Sequence, residues 1–256
     1  LAGFIFIGGI RRIASFAEKM VPIMALVYII GSLTIIVGHG DMFLGALKSI
    51  IVGAFDPVAA TGGVIGAGVK EAIRYGVARG LFSNEAGMGS TPHAHAIAKV
   101  RHPGEQGLAA LIGLFVDTFV VLNMTAFVIL TTGVLDGTTT GISLTQKAFE
   151  VGLGPIGNGF VAVCLLFFAF TTIIGWYFFA EQNVKYLFGN RWVSTYRVIV
   201  LCFLMLGSFL HVNLVWELAD LFNGLMVIPN VIALIGLSKV VGRVLDDYET
   251  NFLKGH

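Results

Sequence analysis

Two groups of residues in this chain have types and spacings suited to chemistry. The first is Ser83-Asn84-Glu85-Ala86-Gly87, set between long apolar segments. A carboxylate at membrane depth is costly and usually functional. Glu85 therefore either senses a cation or holds a broken helix in shape, or it serves the fold by neutralising Arg79 or accepting N–H bonds from an unwound turn. Ser83 and Asn84 add polar atoms at the same place. Gly87 and Gly89 permit positive φ and close backbone approach, or simply close helix packing. Half-helix ends offer free N–H groups to an anionic carboxylate and free carbonyls to a cation. A zwitterionic amino acid needs both, and other small polar solutes fit the same description.

The second group is Phe168-Ala-Phe-Thr171-Thr172 followed by Trp176, midway along an uncharged span. Two consecutive hydroxyls, with a carbonyl three residues before the first, can offer oxygens to a hard cation. They can equally bond their own helix, as membrane threonines do. Thr172 and Trp176 are four apart and share a helix face. Trp176 lies far from the interfacial belt where tryptophans collect, so it is a candidate pocket lining. His93 and His95 are two apart and point to different helix faces, which argues against a metal pair. Asp117 interrupts another span, where a basic partner such as Arg79 or an aqueous path would account for it. Asn123 and Thr125 on the same helix read as interhelical hydrogen-bonders. Glu181, Glu217 and Asp220 fall near span ends and read as solvated. Cys164 and Cys202 lack metal-ligand spacing and read as buried packing residues.

The elements that carry these residues are membrane helices. Of the 256 residues, 56% are hydrophobic and 12% charged, against about 25% charged in soluble domains. Uncharged runs long enough to span a bilayer lie at 20–40, 151–180, 198–216 and 221–238, and a fifth, 107–135, holds only Asp117. No period-two pattern of the kind a barrel requires is present. The net charge of +1, with no basic patch among aromatics, gives no footprint for nucleic acid. Leu1–Ile10 is apolar, too short to span, and not preceded by a charged n-region, so it reads as the tail of a helix rather than a signal peptide.

The segment 79–98 is too rich in Gly, Ser, Asn and Pro for a plain membrane helix. In hydrocarbon, irregular backbone persists only where protein or a cavity satisfies it, so the expectation is a broken helix. Basic residues support a crossing there. Gaps holding Arg11, Arg12 and Lys19, then Lys99 and Arg101, then Lys185, Arg191 and Arg197, then Lys239, Arg243 and Lys254 alternate with gaps holding Lys48, Lys147 and none. The positive-inside rule makes the first set cytoplasmic. The alternation requires 68–98 to cross from outside to inside. The expected map is a partial helix at 1–15, a helix at 20–39 and an outer loop with short helical pieces. The broken span 68–98, with its break at 79–91, is next. After it come helices at 104–133, about 144–151, 155–187, 193–210 and 213–240. Gly62–Gly66 has GxxxG spacing and reads as close packing.

GVARGLFSNEAGMGS at 76–90 closely resembles the signature of the alanine or glycine:cation symporter family, the sodium:alanine symporters. Supporting matches are Gly8–Ile13 with Glu18–Pro22, Ala54–Pro57, Phe170–Thr172, and Gly175–Phe179 with Glu181. The resemblance implies an all-α integral membrane protein with a leucine-transporter-type inverted-repeat fold. It implies that the fold is incomplete here, holding the end of the first repeat plus the whole second repeat. Residues 1–39 would be the last helices of the first repeat, 40–67 an outer loop, 68–240 the second five-helix repeat, and 241–256 a cytoplasmic tail. The chain would then be the C-terminal portion of a symporter, with the other jaw of the site in a missing N-terminal half.

By the same resemblance the function is secondary active import of small neutral amino acids, alanine or glycine, driven by sodium or in some members by protons. No enzymatic chemistry and no cofactor are implied. Phe82, Ser83, Asn84, Glu85, Gly87, Thr172 and Trp176 would meet the substrate, and the Phe168 carbonyl with Thr171 and Thr172 would hold sodium. The location implied is a prokaryotic plasma membrane, multi-pass, with the C-terminus cytoplasmic. Two other classes stand beside this reading. One is an intramembrane enzyme using Glu85 with His93 or His95; the other is a non-transporting scaffold.

Overall fold

The computed structural model describes residues 9–55, 67–85 and 87–254, together with residue 3. Among these residues every regular element is a helix. That is the expected solution for apolar runs of this length, because a helix satisfies each backbone group within its own segment. In chain order they are α1 (Gly9–Gly38), α2 (Gly40–Phe55), α3 (Ala67–Asn84), α4 (Pro92–His95) and α5 (Pro103–Phe115). A π-helical segment, Val116–Leu122, joins α5 to α6 (Asn123–Thr131). Then come α7 (Gly141–Leu153), α8 (Ile156–Phe188), α9 (Val193–Gly207) and α10 (Val212–Asp247), which ends in π-helical Tyr248–Phe252. Four stretches are long and apolar enough to cross a membrane: 13–38, 103–131, 156–188 and 212–252.

Three element bounds differ from the sequence expectation. Residues 9–15 are not a separate helix, since α1 runs unbroken from Gly9 through Gly38. The residues between 13 and 20 include no glycine or proline to stop it, and Pro22 is carried inside the helix. Helix α9 is 15 residues long, a rise of about 22 Å against a hydrocarbon core of about 30 Å. It stops at Gly207, where the Ser208 hydroxyl donates to the Met205 carbonyl at 2.6 Å. Helix α10 continues past Val240 through Asp247. The Gly62–Gly66 spacing, Asp56-Pro57 and most of Leu1–Ile10 lie outside the described residues.

The chain divides into two compact units, residues 1–77 with 117–175 and residues 78–116 with 176–256. In the first, α6 packs on α1, α2 and α7. Its core gathers Tyr28, Ile35, Val128, Ala148, Phe149 and Val161. Phe149 is fully buried and stacks on Phe160, with centroids 5.5 Å apart. The α7–α8 corner turns at Gly154, φ +68°, and leaves no room for a side chain at Gly157, which lies against the Phe149 backbone.

Two polar residues of this unit make different kinds of bond. Thr125 bridges helices as expected, its hydroxyl 2.6 Å from that of Tyr28. Asn123 instead donates to the carbonyls of Thr118 and Phe119 at 3.0 and 3.2 Å. The widened π-turn there leaves carbonyls without their usual helical donors.

In the second unit, α10 presents a half-buried stripe that includes Asp220, Asn223, Val227 and Asn230, a helical repeat of three to four residues. Cys202 is exposed on α9 rather than buried. Glu181 is buried, 5% exposed, rather than solvated. It accepts from the Tyr177 hydroxyl and pairs with Lys185 at 2.5 Å, both one turn away on the same face of α8.

Candidate functional site

Helix α3 ends at Asn84, and the chain beyond it adopts backbone that ordinary residues avoid. Glu85 has φ +51°, the single non-glycine residue with positive φ among the described residues; Gly87 and Gly89 both have φ +76°. For a residue with a Cβ the left-handed region costs about 1–2 kcal/mol, so surrounding contacts must hold Glu85 there. Several do. The Ser90 hydroxyl donates to the Glu85 carboxylate and closes the loop on itself. The Met88 N–H reaches the Glu85 carbonyl at 3.2 Å. Met88 and Ser90 are buried, at 3% and 1% exposure. Pro92 then starts α4 at its first position, where a missing N–H is harmless.

Helix α10 holds this segment on both sides of the break. Before it, the Arg79 guanidinium stacks 4.1 Å over the Trp216 ring and pairs with Asp220 at 2.5 Å. Phe82 meets Trp216 edge to face at 5.9 Å. Asp220 is thus engaged by Arg79 rather than solvated. After the break, the Asn230 amide donates to the Gly87 carbonyl at 2.9 Å. The two histidines beyond have amide partners: His93 with Asn183 at 3.3 Å and His95 with Gln106 at 2.7 Å. The carbonyl end of α3 carries the negative pole of its dipole, and it lies at Ser83 and Asn84.

The threonine pair lies in the first unit, on the uninterrupted α8. Thr171 donates to the carbonyls of Phe167 and Phe168 at 2.9 and 3.0 Å, and Thr172 to that of Phe168 at 2.9 Å. The Phe168 carbonyl therefore accepts both hydroxyls, and three oxygens gather on one turn. Thr171 also lies 3.9 Å from the Met24 sulfur of α1. Oxygen-only donors of this kind suit a hard cation. Among the described residues no group of three His, Cys, Asp or Glu side chains is placed to hold a metal. Trp176 is half-buried and packs edge-on against Phe179, centroids 6.0 Å apart.

Of the residues marked by sequence, Phe82 to Glu85, Gly87 and Trp176 belong to the second unit, and Phe168, Thr171 and Thr172 to the first. The sequence does not single out Asn230 or Trp216, and it offers Ser90 only as the last residue of the 76–90 motif. A signal for Asn230 exists: an amide beside Pro229 inside an apolar span, a place where polar groups seldom occur without a partner. Trp216 and Ser90 carry no such mark.

Membrane-length helices, with three left-handed residues beyond the end of α3, mark a multi-pass membrane protein with a helix broken after Asn84. The whole chain, residues 1–256, matches the sodium:alanine symporter family. An uncharacterized transporter of Haemophilus influenzae is 48% identical over 250 residues, 97% of this chain and 55% of that protein. The amino-acid carrier protein AlsT of Bacillus subtilis is 37% identical over 251 residues, 97% and 52% respectively. The sodium/alanine symporter AgcS of Methanococcus maripaludis is 40% identical over 241 residues, 93% and 52% respectively. The chain spans about half the length of the curated relatives it matches. It belongs to the sodium:alanine symporter family.

Proposed function

We propose that the protein containing this chain is a secondary active symporter that imports small neutral amino acids, alanine or glycine, driven by sodium moving down its gradient. The observation that carries the reading is the break after Asn84, where Glu85, Gly87 and Gly89 take left-handed backbone inside a family of symporters. Phe82, Ser83, Asn84, Glu85, Gly87, Thr172 and Trp176 carry substrate contacts. The carbonyl pole of α3 attracts the ammonium group, and the N–H groups of the turn suit the carboxylate. The Phe168 carbonyl and the Thr171 and Thr172 hydroxyls carry sodium contacts, each hydroxyl turning its proton away so that a lone pair faces the ion. Work is done by alternating access between two states, with ion and substrate binding the same one. The alternation of basic residues supports a cytoplasmic C-terminus, in a prokaryotic plasma membrane like those of the relatives' bacterial and archaeal hosts. The leucine-transporter-type repeat, with 68–240 as its second half, belongs to the same proposal.

The test is uptake of labelled alanine by proteoliposomes holding the complete protein. An inward sodium gradient is expected to drive accumulation, and excess glycine to compete. Uptake indifferent to both sodium and proton gradients overturns the reading.

A further inference from the structure

The geometry points to Asn230 as a positioning residue that holds the 85–90 turn in its binding shape, so that amino-acid affinity is set from α10 as well as from the broken helix. The inference rests on the proposed function of that turn. Asn230 does two things there at once. Its Nδ2 donates to the Gly87 carbonyl at 2.9 Å. Its Oδ1 lies 2.8 Å from where a Cβ on residue 89 would sit. The amide orientation follows from chemistry, because a carbonyl oxygen accepts and so must face the NH₂. Gly89 is thus required twice, for φ +76° and for the room that Asn230 occupies.

Position along α10 makes the hold effective. Asp220 and Asn230 share the half-buried stripe and are about 15 Å apart along the axis. Asp220 and Trp216 grip Arg79 and Phe82 on one side of the break, and Asn230 grips Gly87 on the other. Inside the loop, Ser90 bonds to Glu85, but that bond closes the loop on itself and ties it to no other helix. Asn230 ties the turn itself to α10. Without it the Gly87 carbonyl loses its side-chain donor, while the bonds of Ser90 and Met88 to Glu85 remain inside the loop.

The experiment uses the complete protein, purified, with Asn230→Ala and Asn230→Asp variants. Two quantities are read: hydrogen exchange of peptides covering 85–91, and equilibrium alanine affinity in saturating sodium. Asn230→Ala is expected to raise both exchange and the alanine Kd about tenfold, the usual effect of orphaning a half-buried carbonyl. Asn230→Asp is expected to match the alanine variant at pH 8, where a carboxylate repels the Gly87 oxygen. Half-burial against the Gly87 carbonyl raises such a carboxyl above its ordinary value of about 3.9, so at pH 5 a protonated Asp can donate, and affinity returns to within about threefold of wild type. Each value is compared with wild type at the same pH, which cancels the pH response of every group the two proteins share. A merely structural defect would not recover with acid. Unchanged exchange in Asn230→Ala, or raised exchange with unchanged alanine affinity, overturns this inference alone. A wild type that binds no small neutral amino acid overturns the proposed function and this inference with it.

Discussion

At the scale of single residues, the proposed sodium contacts rest on oxygens rather than on titratable pairs. Thr171 and Thr172 present hydroxyls to the Phe168 carbonyl within 3.0 Å, so three oxygens already converge without a charged ligand. Thr172→Val keeps the shape and removes one oxygen. It is expected to raise the sodium concentration for half-maximal alanine uptake about tenfold, as losing one ligand to an ion does. An unchanged sodium dependence would remove Thr172 from the ion's shell. The threonine pair is visible in sequence as a pattern, and so are both of its readings. The carbonyl partners that the structure gives are those of ordinary membrane threonines, and the Thr172→Val measurement separates the two readings. Asp220 and Glu181 depart from the solvated expectation for one physical reason. Nearness to a span end says nothing about which side chain from another turn or helix lies opposite, and here these are Arg79, Tyr177 and Lys185.

At the scale of elements, composition locates the break in the helix, and backbone geometry gives its form. Small and polar residues at 83–91 weaken a helix. Which of them turn left-handed depends on what holds them, and Glu85 is not legible in sequence because its hold comes from Ser90. The turn before α7 shows the same logic outside the membrane. Asp136 accepts from the Thr139 and Thr138 N–H groups at 2.7 and 2.9 Å and pairs with Lys147 at 2.9 Å. Those N–H groups, with Lys147, hold its carboxyl well below the usual carboxylate range. A depressed folded pKa contributes stability that is present above the unfolded value of about 3.9 and is lost only as pH falls through the folded value. Hydrogen exchange at Thr138 and Thr139, corrected for intrinsic rate, is therefore expected to stay protected from pH 7 down to pH 4. Asp136→Asn should weaken that protection at every pH in the range. Protection that fades between pH 5 and pH 4 would contradict the assignment. The end of α9 at Gly207 is less legible, because one glycine and one serine near an apolar run do not by themselves stop a helix.

At the scale of the whole molecule, length, apolar content and charge placement are enough to read a helical membrane protein, and among the described residues four helical stretches are long and apolar enough to cross a membrane. The π-turn within 103–131 is hidden, whereas the unbroken start of α1 could be read from the lack of glycine and proline between 13 and 20. The chain spans about half of each of the relatives it matches, so the transport cycle belongs to the complete protein. The central claim is that sodium and a small neutral amino acid favour the same state of that protein. Thermodynamic linkage then requires reciprocity: if sodium tightens alanine binding by some factor, alanine tightens sodium binding by that same factor. Isothermal titration of alanine into the complete protein in sodium and in choline, paired with sodium titration with and without alanine, measures both. The prediction is equal factors, each about tenfold or more, within the roughly 5–150-fold range of typical couplings. Alanine affinity that is the same in choline as in sodium would contradict it.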